Sequence, residues 1–261
     1  MSSLQNAMRV IEQDQAEPGA PGRDAVAAAV DEVVRATAAA YTAQSSSYEQ
    51  ARESQPWKWD EYLTSTLLKR VRARVAEGKL PLGTATRWRL LDVGAGYGRD
   101  VLRFAGEPDI EPVALENADG FVQYLRRAQD EGRIGPDGVV VTDMRDLGSI
   151  ETGRFHSVRV HATLHHLPLV SYGLGADAAV SGFRRVLAPG GVLYVLVKAG
   201  SGVNVIDTGE GLGGRFFQLF TPDLLRQLLE RHSFSVVQME EAVEPRSSGD
   251  VDWLFALAVA E

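Results

Sequence analysis

The sequence contains no cysteine and no long apolar run. Without cysteine there can be no disulfide, no thiolate metal site and no cysteine nucleophile. No stretch approaches the ~20 apolar residues that a membrane-spanning helix requires, and the N-terminal segment lacks the basic and then apolar pattern of a secretory signal. We therefore expect a cytoplasmic protein with no membrane partner.

Positive charge is also scarce, because 27 lysines and arginines stand against 35 acidic residues and the net charge is −8. The densest basic run, residues 69–74, has the spacing of the solvent-facing side of a helix. Nucleic-acid-binding proteins usually present a basic face or tail. We therefore expect no nucleic-acid partner.

The chain divides into three predicted segments. Residues 1–23 are polar and end in EPGAPGR, a composition typical of a flexible extension, which can begin with a short helix. Residues 24–80 hold two stretches with helical spacing of apolar residues, which predict an N-terminal helical lid. Residues 81–261 alternate short apolar runs with amphipathic stretches, and this rhythm predicts an α/β core, doubly wound around a mostly parallel sheet. The last two runs have a short connection, which favours an antiparallel pair at one edge.

A glycine-rich turn, LLDVGAGYGRD, ends the first predicted strand and opens a helix. Glycines let the backbone bend tightly and approach a ligand closely, at the sheet edge where doubly wound folds bind ligands. A dinucleotide-binding turn would need a third glycine five residues after Gly94, but that position is Arg99. The third glycine, Gly98, comes one residue early, so the spacing argues against a nicotinamide cofactor.

Acidic residues end three successive predicted strands. Asp92 precedes the glycine turn, where it would repel a pyrophosphate and attract the amino-acid end of S-adenosylmethionine (SAM). Glu116 ends the second strand, where a carboxylate can accept hydrogen bonds from a ribose diol. Asp143 ends the third strand and is placed to accept from an adenine amino group, with Met144 as an apolar surface for the ring. Together the three acids favour SAM as the ligand.

Five ordered motifs, LLDVGAGYGRD, LEN, TDMRDL, HATLHHLP and FRRVLAPGGVLYVLVK, resemble those of class I SAM-dependent methyltransferases. The similarity covers about residues 89–198. The proline–glycine turn of the last motif is typical of the small-molecule, ubiquinone/menaquinone-methyltransferase-like branch. The resemblance implies a Rossmann-like sheet of seven strands with an antiparallel last strand and N-terminal helices.

The resemblance also implies which residues hold the cofactor. The glycine turn would contact the methionine part of SAM, and the acids that end the second and third strands would contact the ribose and the adenine. The first helix usually covers the cofactor in this family, which would bring Tyr41 and Tyr48 near it. The predicted cofactor contacts are Asp92, Gly94, Ala95, Gly96, Glu116, Asn117, Asp143, Met144, His161 and Tyr48.

The segment HATLHHLP follows the fourth predicted strand and borders the transferred methyl group in this family. It holds three of the five histidines, and histidine titrates near neutral pH. We predict His161 and His165 as a general base or substrate-orienting group, and His166 as a third candidate that can instead pack within the loop. A base is needed only if the nucleophile must lose a proton. A metal-dependent enzyme would need acids at the strand ends where this chain has His161 and Lys198, so no metal is expected.

Acceptor specificity is predicted to lie in two variable segments, residues 40–60 and the glycine-rich loop at 201–220. Their aromatic side chains can line an apolar pocket, although they can equally pack in the core under a lid. The predicted acceptor contacts are Tyr41, Trp57, Phe216 and Phe217.

The sequence therefore predicts an enzyme that transfers the methyl group of SAM to a hydroxyl or amine of a small molecule. Two alternatives stay open. One is a methyltransferase that acts on a peptide, protein or tRNA. The other is a SAM-fold protein without methyl transfer, such as a binding module or a cyclase, because a fold does not fix a function. The acceptor does not follow from the sequence, and neither does the choice between a monomer and a homodimer.

Overall fold

The computed structural model describes residues 3–54, 57–200, 204–207, 214–246 and 249–261. These ranges form one seven-stranded sheet packed with helices and one separate two-stranded sheet. Within them, no helix combines the length and the apolar character needed to cross a membrane.

The large sheet has the strand order β3-β2-β1-β4-β5-β9-β8. The strands are β1 (Trp88–Val93), β2 (Ile110–Glu116), β3 (Val139–Val141), β4 (Phe155–His161), β5 (Leu187–Lys198), β6 (Asn204–Asp207), β7 (Arg215–Gln218), β8 (Phe234–Glu244) and β9 (Val251–Ala260). Strands β1 to β5 pair in parallel, and β9 is antiparallel to both of its neighbours, β5 and β8. The predicted doubly wound, Rossmann-like sheet with an antiparallel last strand is confirmed.

Helices cover the sheet and precede it. They are α1 (Ser3–Ala16), α2 (Arg23–Ala43), α3 (Ser45–Ser54), α4 (Lys58–Ala76), α5 (Arg99–Ala105), α6 (Asp119–Asp130), α7 (Ala176–Val186) and α8 (Pro222–Arg231), with a 3₁₀ turn at Leu164–His166. Helices α7 and α8 belong to one buried cluster with the sheet, and α4 belongs to another. Because side chains alternate along a strand, Val158 and Val160 of β4 join the first cluster, while Arg159 projects to the opposite face. This alternation places Arg159 and His161 on the side of α4 and α5.

The N-terminal segment begins with a helix, which the sequence allowed, and this helix is packed on the rest of the chain. Helix α1 packs on α2 and buries Met8 and Ile11, the latter completely. Asp14 is also buried, and its carboxylate accepts backbone N–H bonds from Gly19 and Ser171. The few apolar residues of this segment fall on one face of the helix, and that face is enough to dock it.

Two further elements escape prediction from the sequence. Helix α3 occupies the polar stretch between the two predicted lid helices, and β6 and β7 pair as an antiparallel ladder inside the predicted glycine-rich loop. Residues 201–203 and 208–213 of that loop lie outside the described residues. Contacts with distant segments stabilise β7, since the Phe216 N–H donates to the Thr37 hydroxyl of α2 at 3.2 Å. Local sequence patterns carry no signal of such contacts.

Candidate functional site

The glycine turn lies between β1 and α5 and has left-handed backbone at three positions. Gly94, Gly96 and Gly98 have φ angles of 68°, 58° and 91°, a region that residues with a side chain disfavour. A Cβ added at Gly94 would lie 2.7 Å from the Cβ of Thr163, whereas one added at Gly96 would meet nothing within 4 Å. Packing therefore requires Gly94, and Gly96 leaves open the space in front of the turn.

Glu116 fixes the turn from the end of β2. Its Oε2 accepts a hydrogen bond from the N–H of Gly96 at 2.8 Å, and its Oε1 accepts from Asn117 and Ala118 at 2.9 Å each. Burial raises the pKa of this carboxyl, and the three N–H donors oppose that rise. A carboxylate offers about four acceptor positions, so Glu116 keeps capacity for a ligand hydroxyl beside the turn.

The turn and the strand ends open onto a cavity with an empty volume of about 720 Å³, which we call the glycine-turn cavity. Eight of the predicted cofactor contacts line it: Gly94, Gly96, Glu116, Asn117, Asp143, Met144, His161 and Tyr48. Its other lining residues are Val34, Thr37, Ala38, Tyr41, Leu115, Phe121, Thr142, Ala162, Thr163, His166 and Leu167.

Aromatic side chains from α2, α3 and α6 close one side of this cavity. Tyr41 packs edge-on against Tyr48 with ring centroids 5.6 Å apart, and both rings contact Phe121, at 5.8 Å and 5.5 Å. Helices α2 and α6 approach closely at Gly120, where an added Cβ would lie 2.7 Å from the Thr42 carbonyl oxygen. The N-terminal helices therefore cover the cavity.

Asp143 lines the glycine-turn cavity, but its carboxylate already has partners. Its Oδ2 accepts from Nη2 of Arg145 at 2.6 Å, and its Oδ1 accepts from the Arg145 backbone N–H at 2.8 Å. The same guanidinium donates to Asp31 of α2 at 2.9 Å. Arg145 therefore orients Asp143 and also ties α2 to the segment after β3.

A second cavity adjoins the first and has an empty volume of about 660 Å³. We call it the polar cleft. The two cavities share Tyr48, Gly94, Gly96, His161 and Ala162. The remaining lining residues of the polar cleft are Trp57, Asp60, Asp92, Ala95, Tyr97, Arg99, Asp100, Arg159, Glu244 and Trp253. The last two predicted cofactor contacts, Asp92 and Ala95, therefore lie on this side of the turn.

The charged groups of the polar cleft centre on Arg159, whose side chain is only 2% exposed. Its Nη1 donates to Oδ1 of Asp92 at 2.9 Å, and its Nη2 lies 2.8 Å from Oδ2 of Asp100. Burial raises the pKa of Asp92 to about 6, against the pull of Arg159. Burial also acts to raise the pKa of Asp100, but Arg159 and Arg99 hold that pKa well below its usual range. Asp92 thus has an internal partner, Arg159, which its position before the turn does not predict.

Asp60, in the first turn of α4, brings a third carboxylate to this group. Its Oδ2 accepts a hydrogen bond from Nη2 of Arg99, and its Oδ1 lies 3.6 Å from Nε2 of His161 and 3.7 Å from Nη2 of Arg159. Three carboxylates beside two guanidiniums leave a surplus of one negative charge when all are ionised. Such a surplus favours a ligand group that carries positive charge.

His161 ends β4 and lines both cavities. Its Nδ1 lies 2.9 Å from the hydroxyl of Tyr194, and the two rings stack with centroids 5.9 Å apart. Burial, aided by Arg159, lowers the pKa of His161 to about 3, so the imidazole is neutral near pH 7. Burial raises the pKa of Tyr194, so its phenol keeps its proton.

His165 and His166 follow in the 3₁₀ turn, and both are buried. Nδ1 of His165 accepts the backbone N–H of Lys198 at 3.1 Å. Burial, with His166 alongside, holds the pKa of His165 well below its usual range. His166 lines the glycine-turn cavity, with its Nδ1 2.7 Å from the Phe216 carbonyl oxygen and its Nε2 2.8 Å from the Tyr41 hydroxyl. His165 lines neither of the two cavities described above.

The four predicted acceptor contacts lie in different surroundings. Tyr41 lines the glycine-turn cavity, and Trp57 lines the polar cleft, with its ring 5.8 Å from that of Trp253. Phe216 is fully buried in a cluster with α1 and α2. Phe217 is also buried and lines neither cavity. The two phenylalanines are thus packed in the core, one of the two placements that the sequence left open, and their contact with an acceptor stays a prediction.

Several charged residues of the site have no place in the sequence prediction. Arg159 alone left a signal, because SVRVH sets a basic residue inside an otherwise apolar strand, and a buried strand tolerates a charge only when it is paired. Asp60 and Asp100 come from helices whose local pattern says nothing of the cleft. Over the described ranges, no group of three or more histidine or acidic side chains is arranged to hold a metal ion.

Residues 91–195 match a family model described as a methyltransferase domain. A comparison with curated proteins gives no match. Similar solved structures include a 1,6-didemethyltoxoflavin N1-methyltransferase from Burkholderia thailandensis, crystallised with 1,6-didemethyltoxoflavin and S-adenosylhomocysteine. Its TM-score is 0.62 at 19% identity, over 88% of this chain and 90% of that chain.

Two further structures share the fold. The (4+2)-cyclase SpnF has a TM-score of 0.53 at 20% identity, over 73% of this chain and 79% of that chain. A SAM-dependent methyltransferase from Methanosarcina mazei has a TM-score of 0.53 at 17% identity, over 71% of this chain and 96% of that chain. At these identities the structural likeness shows the fold alone.

The matched family model runs from β1 into β5 and contains the glycine turn, the three strand-end positions and the histidine segment. These are the elements that build the glycine-turn cavity. Residues 91–195 therefore form a methyltransferase domain, and the chain is a methyltransferase whose cofactor is SAM.

Proposed function

We propose that the enzyme methylates a small molecule that enters the covered space between the N-terminal helices and the histidine segment. The observation that carries this proposal is the aromatic cover of Tyr41, Tyr48 and Phe121 over the glycine-turn cavity. A small acceptor can enter such an enclosed space, whereas a folded macromolecule needs an open face. Enclosure also excludes water from the reacting groups.

We propose that the side of the glycine-turn cavity lined by Glu116, Asp143 and Met144 holds the adenosine part of the cofactor, and that the side at Tyr41 and His166 is left to the acceptor. Glu116 has acceptor capacity left beside the turn and can take a ribose hydroxyl. Met144 offers an apolar surface, and Asp143, oriented by Arg145, can accept from the adenine amino group. When bound, SAM supplies a methyl group on a positively charged sulfur.

The polar cleft suits the amino-acid end of the cofactor. Asp60 and Arg99 present opposite charges side by side, which complement an α-ammonium and an α-carboxylate. The surplus negative charge of the cleft also favours the cationic sulfur nearby. Asp92 supports this arrangement through Arg159, and Gly96 and His161, which line both cavities, mark where the two parts of the ligand would join.

We further propose that the methyl group is transferred to a hydroxyl or amine of a small molecule. We also propose that the chain belongs to the small-molecule branch that resembles the ubiquinone and menaquinone methyltransferases. The structure from Burkholderia thailandensis supports a small acceptor, since that protein is an N1-methyltransferase crystallised with a small molecule. SpnF supports a second candidate function, because that protein is a cyclase on the same fold.

Transfer from methyl-labelled SAM tests the proposal. A lysate is divided by size into a small-molecule filtrate and a macromolecular retentate, and each fraction is incubated with the enzyme. We expect label in products of the filtrate. Label in the retentate alone would support a protein or RNA acceptor instead, and binding of S-adenosylhomocysteine without any transfer would support the cyclase.

A further inference from the structure

Hydrogen-bond partners fix where the proton sits on each imidazole of the histidine segment. A backbone N–H can only donate and a backbone carbonyl can only accept. A ring nitrogen bonded to either one therefore has a defined protonation state, and in a neutral imidazole the other nitrogen has the opposite state.

Contacts with the backbone fix the proton position on two of the three imidazole rings. Nδ1 of His165 accepts the N–H of Lys198, so it carries the lone pair and the proton sits on Nε2. Nδ1 of His166 faces the carbonyl oxygen of Phe216 at 2.7 Å, so it carries the proton. Nε2 of His166 therefore accepts from the hydroxyl of Tyr41. That hydroxyl also accepts from Nη1 of Arg215 at 3.1 Å.

Two neighbouring side chains fix the proton position on the His161 ring. Tyr194 keeps its phenol proton, and Nδ1 of His161, at 2.9 Å, is the acceptor that the structure places beside it. On the other side of the ring, Oδ1 of Asp60 lies 3.6 Å from Nε2. A proton on Nε2 is attracted to this carboxylate, whereas a lone pair there would be repelled. His161 therefore has its proton on Nε2 and directs a donor toward the cavities that it lines.

Every lone pair of the three rings thus has a donor already. Protonating His165 would break its bond to the Lys198 N–H, and a charge on His161 or His165 would lie in a buried environment beside Arg159, Arg215 or Lys198. The carboxylates that line the two cavities are held in turn by arginines or by backbone N–H groups. We propose that the three histidines position the site without taking a proton, and that the acceptor is a nucleophile with its lone pair free near neutral pH. The fitting classes are a ring nitrogen, an uncharged amine, and an ionised phenol or enol. This inference rests on the proposed function, since it names the acceptor class of the same site.

The transfer step balances without a base. The acceptor lone pair forms the bond to the methyl carbon, and the electron pair of the breaking carbon–sulfur bond goes to the sulfur. An ionised phenol or enol becomes a neutral methyl ether, and a ring nitrogen without hydrogen becomes an N-methyl cation. An amine becomes an ammonium that releases a proton to water after the product leaves the cavity. An aliphatic alcohol fits poorly, because its proton must leave during the reaction, and general bases contribute about 100-fold or more to such steps.

Nitrogen NMR of the intact chain, labelled at histidine and saturated with S-adenosylhomocysteine, tests the proton positions. Substituting His156→Gln and His232→Gln leaves signals from the three histidines of the segment alone. We expect three neutral rings from about pH 6 to pH 8, two with the proton on Nε2 and one with it on Nδ1. A ring that titrates in this range, or one with an unbonded lone pair, would overturn the inference. If the double substitution impairs folding, single His→Gln variants at the two positions assign the spectrum by difference.

A competition between matched acceptor pools tests the substrate class. One pool holds nitrogen heteroaromatics and nitro-substituted phenols, and the other holds aliphatic alcohols of equal size. We expect label from methyl-labelled SAM in the first pool at about 100-fold the level in the second. Preferential labelling of the alcohols would overturn the inference. Failure of the proposed function is distinguishable, because it would show as an absence of label in both pools, whatever the proton positions in the NMR spectra.

Discussion

Two glycines with the same backbone conformation allow the effect of a substitution on folding to be separated from its effect on ligand binding. Gly96 and Gly132 have φ angles of 58° and 71°, and an added Cβ would meet nothing within 4 Å at either position. Gly96 lines both cavities of the site, whereas Gly132 follows the C-terminal end of α6. Substituting each by alanine therefore imposes the same backbone strain, and only Gly96→Ala places a methyl group where we propose the cofactor lies.

The expected magnitudes follow from this difference. The left-handed region costs a residue with a Cβ about 1–2 kcal/mol, so both variants should lose that much free energy of unfolding. An extra methyl forced into a filled site costs about 1–3 kcal/mol, which corresponds to binding of S-adenosylhomocysteine weaker by roughly 5- to 150-fold. Gly132→Ala should bind it like the wild type. Denaturant titration, followed by fluorescence of the four tryptophans, and calorimetric titration give the two quantities.

Gly94→Ala completes the series, because its Cβ would lie 2.7 Å from that of Thr163. Overpacking adds about 1–3 kcal/mol to the backbone strain, so Gly94→Ala should be the least stable of the three. If Gly96→Ala binds S-adenosylhomocysteine as tightly as Gly132→Ala, the cofactor does not lie against the turn. If Gly94→Ala is as stable as Gly96→Ala, the packing argument fails.

Three further predictions concern the buried groups. Arg159→Leu should lower the free energy of unfolding by about 3–5 kcal/mol, because it leaves buried carboxylates unpaired, while Arg89→Leu, which breaks an exposed ion pair, should cost under about 1 kcal/mol. The folded-state pKa of His161 is about 3, so the unfolded chain binds more protons below about pH 6.5 and stability falls as pH falls. His161→Gln should reduce the loss between pH 7 and pH 5 by about 2 kcal/mol, and denaturation at the two pH values measures it. An equal loss in the variant would contradict this. Tyr41→Phe should destabilise the lid by about 1–3 kcal/mol, because it leaves a buried imidazole nitrogen without its donor. Faster exchange of α2 amides would show it, and the exposed Tyr62→Phe should leave that exchange unchanged.

The sheet was predictable because its signals are local. Buried parallel strands read as short apolar runs, and the stretches between them show helical spacing, so a mostly parallel sheet covered by helices follows from general rules. The packing of helix α1 was not predictable, because Met8 and Ile11 are a weak signal in a polar segment. The β6–β7 ladder was missed because it is stabilised by contacts with α2, which lies far away in the sequence.

The candidate site was predictable only in part, for the same reason. The glycine turn and Glu116 sit at strand ends, where position alone indicates a ligand. The partners that decide the chemistry come from other elements: Arg159 pairs with Asp92, Asp60 reaches in from α4, and Tyr194 fixes the proton of His161. Histidine content therefore suggested a general base, whereas the hydrogen bonds around the rings favour a site without one.

Calorimetric titration of the wild-type chain with S-adenosylhomocysteine and with NAD⁺, run side by side, tests the cofactor assignment most directly. A glycine turn held by Glu116, with carboxylates instead of a phosphate site before it, predicts binding of one S-adenosylhomocysteine per chain and no heat from NAD⁺. Binding of NAD⁺ without S-adenosylhomocysteine would contradict the assignment of both cavities and the mechanism built on them.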